Sequence, residues 1–107
     1  MTTPLNPMVS RRYLRHGMLI QLAAFEAVMR LGSVTRAAEA LCVAQSTLSG
    51  HLRKLGEALA VRLFEAHGKR LVPTDEARVL LQAAQEAFGA FERCDQLLTG
   101  LSEMKRH

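Results

Sequence analysis

The 107-residue chain is one domain's worth of polypeptide, enough for a single modest core and too short for the cavity and lid of a large enzyme. Alanine and leucine dominate, aromatics are 5% and β-branched residues are few, a composition that favours helices over sheets. A net charge of +4 makes polyanions natural partners.

The first 16 residues read as a loose basic arm, broken by Pro4 and Pro7 and charged by Arg11, Arg12 and Arg15. Such an arm is either a solvated tail or a contact to DNA backbone. It holds no apolar run of signal-peptide or transmembrane length. Cys42 and Cys94 lie far apart with no clustered histidines, so no zinc site is expected. Free thiols fit a reducing cytoplasm, the expected location.

Residues 18–31, MLIQLAAFEAVMRL, predict a strongly apolar helix with Leu22, Phe25 and Met29 in one stripe, widened by Leu19, Ile20 and Val28. Gly32 suits its C-cap. Ser33 suits the N-cap of a short second helix, 34–41, whose Ala37, Ala38 and Leu41 form a close-packing face. A three-residue break, Cys42-Val43-Ala44, precedes a third helix over 45–59. Small residues before a tight break are what two steeply crossing helices need, a helix-turn-helix signature.

At 100° per residue, Leu48, Leu52, Leu55 and Leu59 of the third helix fall within roughly 60° of one another and predict the core side. Opposite lie Ser46, Gly50, Arg53 and Glu57, flanked by Thr47, Ser49 and Lys54. The N-terminal half of that face is small and hydroxylated, as close approach to a major groove requires. Gln45 can pair bidentately with adenine, and Arg53 and Lys54 can reach backbone or, for Arg53, guanine. Glu57 at the far end would be repelled by phosphate, so the N-terminal half should dock.

Residues 60–74 predict two short strands around a basic turn at His67-Gly68, ended by Pro73. Thr74 is the next N-cap, followed by Asp75 and Glu76 at the favourable end of the dipole. A long helix over 75–101 carries a heptad seam: Leu80, Ala84, Ala87, Phe91, Cys94, Leu98 and Leu101, with Phe88 beside it. At about 40 Å it is longer than this domain's own core needs, so part of its apolar face should meet another chain.

Residues 25–49, FEAVMRLGSVTRAAEALCVAQSTLS, and 61–74, VRLFEAHGKRLVPT, resemble the N-terminal DNA-binding domain of LysR-type transcriptional regulators, with the match covering about residues 18–100. Phe25, Gly32-Ser33, Ala37-Ala38, Leu41, Gln45, Ser49, Leu55, Leu63-Phe64 and Thr74 carry it. The resemblance implies a mainly α fold: a winged helix-turn-helix over 17–74, three helices plus a two-stranded wing, followed by a linker helix and tail over 75–107. It implies homodimers through the linker helix, normally antiparallel, and a higher oligomer in a full-length parent. A small-molecule effector would bind only through a C-terminal domain absent from these residues, which fits an excised domain better than a truncated gene product.

The same resemblance places DNA contacts at Ser33, Thr35 and Arg36 of the second helix. It adds Gln45, Ser46, Thr47, Ser49, Gly50, Arg53 and Lys54 of the recognition helix, and Lys69 and Arg70 of the wing, residues 66–72, over the neighbouring minor groove. Departures stand out: Ser46 where proline is common, Gly50 and Ala66 where arginine is frequent, and Gly56 and Ala60 for a common glutamate and glycine. Pro73 and Ala77 also depart from the usual run. With the RYLRHG start at 12–17, these features look closer to a subgroup that includes activators of autotrophic carbon-fixation operons.

No cofactor, metal or catalytic constellation is expected. His16, His51, His67 and Asp75 lack ligand spacing, and Ser46 and Ser49 lack a nucleophile-elbow context. His51 reads as a packing or rim residue and Cys94 as a small hydrophobe in the seam, with a switch and a thiol sensor as their alternatives. The seam equally fits a helical dimerisation or adaptor module without DNA binding. Such a module would not need hydroxyls and cations gathered on the third helix and wing.

Overall fold

Four helices and one hairpin follow one another in the computed structural model, which describes residues 17–106; the basic arm lies outside the described residues. The elements are α1 (Met18–Leu31), α2 (Val34–Leu41), α3 (Gln45–Leu59), β1 (Phe64–His67), β2 (Arg70–Pro73) and α4 (Asp75–Lys105). The three-helix body, wing and long final helix follow the sequence expectation. One end differs. Helix α4 runs past Leu101 to Lys105, because no breaker intervenes and Lys105 suits the C-terminal end of the dipole. The end of the wing holds as expected: Pro73 closes β2 as its last residue, where the missing N–H costs little.

Helix α1 is the central wedge. One side packs Ala24, Ala27 and Val28 against Ala37, Ala38 and Leu48 of α2 and α3. The other packs Met18 and Phe25 against Leu55, Leu63 and Ala77. The expected stripe is correct at Phe25, fully buried, with Leu22 and Met29 partly buried against it. Leu19 and Ile20 are instead more than half exposed, and Gln21 is fully buried. An almost uniformly apolar helix gives periodicity little polar contrast with which to choose its covered faces.

The α1–α2 corner closes as expected: the Gly32 N–H donates to the Val28 carbonyl at 2.8 Å, and the Ser33 hydroxyl oxygen accepts the Arg36 N–H at 3.1 Å. At the α2–α3 break Cys42 adopts φ 58°, and the Val43 N–H returns to the Ala38 carbonyl at 3.0 Å. Buried Ala37 and Ala38 leave room for the crossing.

Helix α3 ends in a tight reversal. Ala60 takes φ 58°, the left-handed region, while the Val61 N–H donates to the Gly56 carbonyl at 3.0 Å. A Cβ on residue 56 would stand 3.0 Å from the Val61 carbonyl oxygen, so any larger residue there would have to push that backbone oxygen aside by a few tenths of an ångström. The left-handed position itself is held by an alanine, against its steric preference. Ala60→Gly is therefore expected to stabilise the domain by about 1 kcal/mol, read as a raised urea midpoint at unchanged slope.

The wing pairs Phe64 with Pro73, Glu65 with Val72, Ala66 with Leu71 and His67 with Arg70, antiparallel. Gly68, at φ 67°, supplies the positive φ that a two-residue hairpin turn demands. Thr74 fastens the wing's root to α4. Its hydroxyl donates to the Arg62 carbonyl at 2.7 Å, and the same oxygen accepts the Ala77 N–H at 3.1 Å. One buried side chain is thus both a stitch and an N-cap.

Helix α4 is about 46 Å long at 1.5 Å per residue. Ala77 and Ala84 are buried, and Leu80 and Leu81 pack on the Phe25 side of the core. From Phe91 to Arg106 every residue except the half-buried Gly100 is exposed.

Candidate nucleic-acid interface

The leucines of α3 face inward as their spacing predicts: Leu48 and Leu55 are fully buried, and Leu52 and Leu59 pack at the core's edge. This fixes the opposite face outward. Gln45, Ser46, Thr47, Ser49, Arg53 and Lys54 are all exposed, and Gly50 and His51 are half-buried. The helix begins at Ala44, which offers no side-chain acceptor to the first-turn N–H groups. Those donors remain available to an outside acceptor.

Around this face the fold gathers residues distant in sequence. A cleft of about 530 Å³ between α3 and the wing is lined by Ser49 and Arg53 of α3, Arg62 of the connecting loop, Val34 of α2 and Leu71 of β2. A second, of about 410 Å³, brings Ser33 together with Lys69 and Arg70 of the wing. Thr35, Arg36, Gln45, Ser46, Thr47 and Lys54 lie outside both clefts, exposed on α2 and α3. Within the first cleft the Arg53 guanidinium stands 3.6 Å from the Glu57 carboxylate, one turn on, with both side chains well exposed. Sequence reasoning passed over Arg62. Its signal was a cation in the short loop between the helix and the wing, where the chain must cross the cleft.

Of the expected dimerisation residues, Ala84 is only 2% exposed and Leu80 packs on the domain's own core. Ala87 and Phe88 are half-buried, while Phe91, Cys94, Leu98 and Leu101 are exposed. The open apolar side of α4 also includes Val79, Leu97 and Met104, at 74, 70 and 73% exposure, which the seam reading missed. Helical geometry rotates Val79, Ala83, Ala90, Leu97 and Met104 by roughly 140° from the Ala77–Ala84 side.

A helix-turn-helix with a hairpin wing and an exposed face carrying hydroxyls and cations on its third helix defines a winged helix-turn-helix domain of the kind carried by transcriptional regulators. Residues 19–78 match the family described as bacterial regulatory helix-turn-helix protein, lysR family. The chain belongs to the LysR family. It is 36% identical over 83 residues to the regulatory protein NocR of Agrobacterium fabrum, covering 78% of this chain and 28% of that protein. It is 34% identical over 91 residues to the RuBisCO operon transcriptional regulator of Allochromatium vinosum, covering 85% and 30%. The carbon-fixation relative and NocR thus stand at nearly the same identity. Among solved structures, the BenM DNA-binding domain in complex with catB site 1 DNA superposes with TM-score 0.73 at 28% identity, over 78% of this chain and 93% of that one. The chain spans less than a third of the length of those two curated relatives. Among the described residues no helix is long and apolar enough to cross a membrane.

Proposed function

We propose that this chain binds double-stranded DNA sequence-specifically as a homodimer in the cytoplasm, with α3 in the major groove and the wing, residues 66–72, over the adjacent minor groove. The observation that carries this reading is the outward face of α3: an uncapped start, then small and hydroxylated residues, then Arg53 and Lys54. Gln45 reads a base edge, and Ser46, Thr47 and Ser49 bond bases or phosphates. Ser33 accepts the Arg36 N–H, yet its hydroxyl proton is still free to donate to phosphate. Thr35 and Arg36 flank that contact, and Lys69 and Arg70 follow the neighbouring backbone. Dimerisation runs through the open side of α4. In a longer parent, a C-terminal domain would bind the small-molecule effector, and higher oligomers would build on this dimer.

The test is selection of an operator from random duplexes, followed by Gln45→Ala. The variant should lose about 1–3 kcal/mol on the selected site and nothing on random duplex. Equal losses on both would assign Gln45 to phosphate. A dimer without DNA affinity would instead make the chain an adaptor.

Gly50 has a separate test, because a Cβ built there meets nothing within 4 Å. Packing does not demand the glycine, so Gly50→Ala should stabilise the helix by about 0.5–1 kcal/mol in urea unfolding. Gly50→Arg should raise affinity for duplexes in general and alter the selected site. Unchanged binding by the arginine variant would put residue 50 off the DNA.

A further inference from the structure

The open side of α4 begins in a groove on the body of the domain. About 460 Å³ in volume, the groove is lined by Leu59 and Val61 at the exit of α3 and by Val79, Leu80 and Ala83 of α4, with the carboxylates of Asp75 and Glu76 beside them. Arg78 holds Asp75 at 3.0 Å, whereas Glu76 has no ion pair among the described residues. At the far end of the same helix Met104 is 73% exposed, followed by Lys105 and Arg106. An apolar groove with acid beside it and an apolar tip followed by base therefore stand at opposite ends of one helix.

The residues between them have a size pattern that selects a direction. From Leu80, whose side chain packs partly on the domain's own core, the open side runs through Ala83, Ala87, Ala90, Cys94, Leu97, Leu101 and Met104, a 3-4 spacing that is symmetric about residue 92. Its first half is mainly alanine and its second half, after the small Cys94, is large. Two copies lying antiparallel about that point set Ala87 against Leu97 and Ala83 against Leu101, small against large, with the two small residues Ala90 and Cys94 together at the centre and Met104 reaching Leu80 at the groove. Two parallel copies would set alanine on alanine and leucine on leucine, alternately leaving gaps and overfilling. Antiparallel pairing also brings Lys105 and Arg106 within about a turn of Glu76, whereas parallel pairing places like charges together.

We propose that the groove formed by Leu59, Val61, Val79, Leu80 and Ala83 is the seat of Met104 from a second copy of this chain, held there by Lys105 and Arg106 against Glu76. This rests on the dimer reading above and adds a contact onto the domain body. Because Leu59 ends α3 and Val61 follows it, the second copy's helix tip braces the reading helix as well as the linker. Dimerisation and the aim of the recognition helix are then coupled through one pocket.

The test uses the full chain with Cys42→Ser and Cys94→Ser. Adding Val79→Cys and Met104→Cys together should yield a disulfide-linked dimer under mild oxidation, and Met104→Cys alone should not. By sedimentation, Met104→Glu should weaken the dimer about tenfold or more, since it buries a charge in an apolar groove. Met104 is exposed in the single chain, so the variant should fold. Glu76→Lys should weaken the dimer several-fold, and adding Lys105→Glu should restore it. If Leu98→Glu gives monomers while Met104→Glu leaves the dimer intact, the groove is not the seat although the dimer stands. A disulfide-linked dimer of Met104→Cys alone would mean parallel pairing and overturn the proposal. A wild-type chain that stays monomeric would overturn the dimer reading itself.

Discussion

Phe25→Ala is expected to lower the unfolding free energy by about 3–5 kcal/mol, a large share of the stability of a domain this small. Phe25 is fully buried in the middle of the α1 wedge, packed with Leu55 of α3, Leu63 at the root of the wing and Ala77 of α4. Its ring centroid lies 6.1 Å from that of Phe64 at 53°, a tilted aromatic pair that ties α1 to the first residue of β1. Removing the ring leaves a cavity where four elements meet, and none of them can collapse inward without breaking its other contacts. Leu19→Ala is the matched control: the same helix loses an apolar side chain that is more than half exposed, and the change should stay within about 0.5 kcal/mol. Urea unfolding of both variants checks this. Similar midpoints would mean that α1 does not bury the face described.

The contrast between those two positions also marks what the sequence made legible. Elements were readable where local chemistry punctuates the chain: Gly32 and Ser33 bracket a corner, and Thr74 caps α4 with Asp75 and Glu76 behind it. The reading face of α3 was readable because its leucine stripe stands against a polar remainder, so one side being core leaves the other as surface. The same inference fails where contrast is absent. Helix α1 is apolar nearly all round, and only its neighbours decide that Gln21 is buried while Leu19 is not. On α4, Val79 and Ala83 are offset by one residue from Leu80 and Ala84, and both pairs satisfy a heptad. The domain's own core takes Leu80 and Ala84, which leaves the adjacent stripe open. The two glycines of α3 could not be ranked from sequence either. Gly50 and Gly56 both stand out as departures from the family pattern, yet Gly56 is the one where a carbonyl would crowd a Cβ, through a reversal set by the residues after Leu59.

Raising salt from 50 to 200 mM should weaken DNA binding by about 10³–10⁵, the loss that accompanies roughly 6–10 phosphate contacts in a dimer. Each chain offers Arg36, Arg53, Lys54, Lys69 and Arg70 on or beside the proposed interface, all of them exposed. Their contributions should differ by position. Lys69→Ala and Arg70→Ala should weaken selected and random duplexes alike, each lowering the salt slope by about 1 per subunit, since backbone contact carries no sequence information. Arg53 starts from a different state, because the Glu57 carboxylate 3.6 Å away already competes for it. Binding phosphate there means giving up that partner, which makes the net gain from Arg53 smaller than from an unpaired wing cation. Titration of a labelled duplex at stepped salt, with wild type and the two wing variants, separates these terms. An affinity that is flat in salt would mean that these cations do not face phosphate, and the interface would then have to lie on another side of the domain.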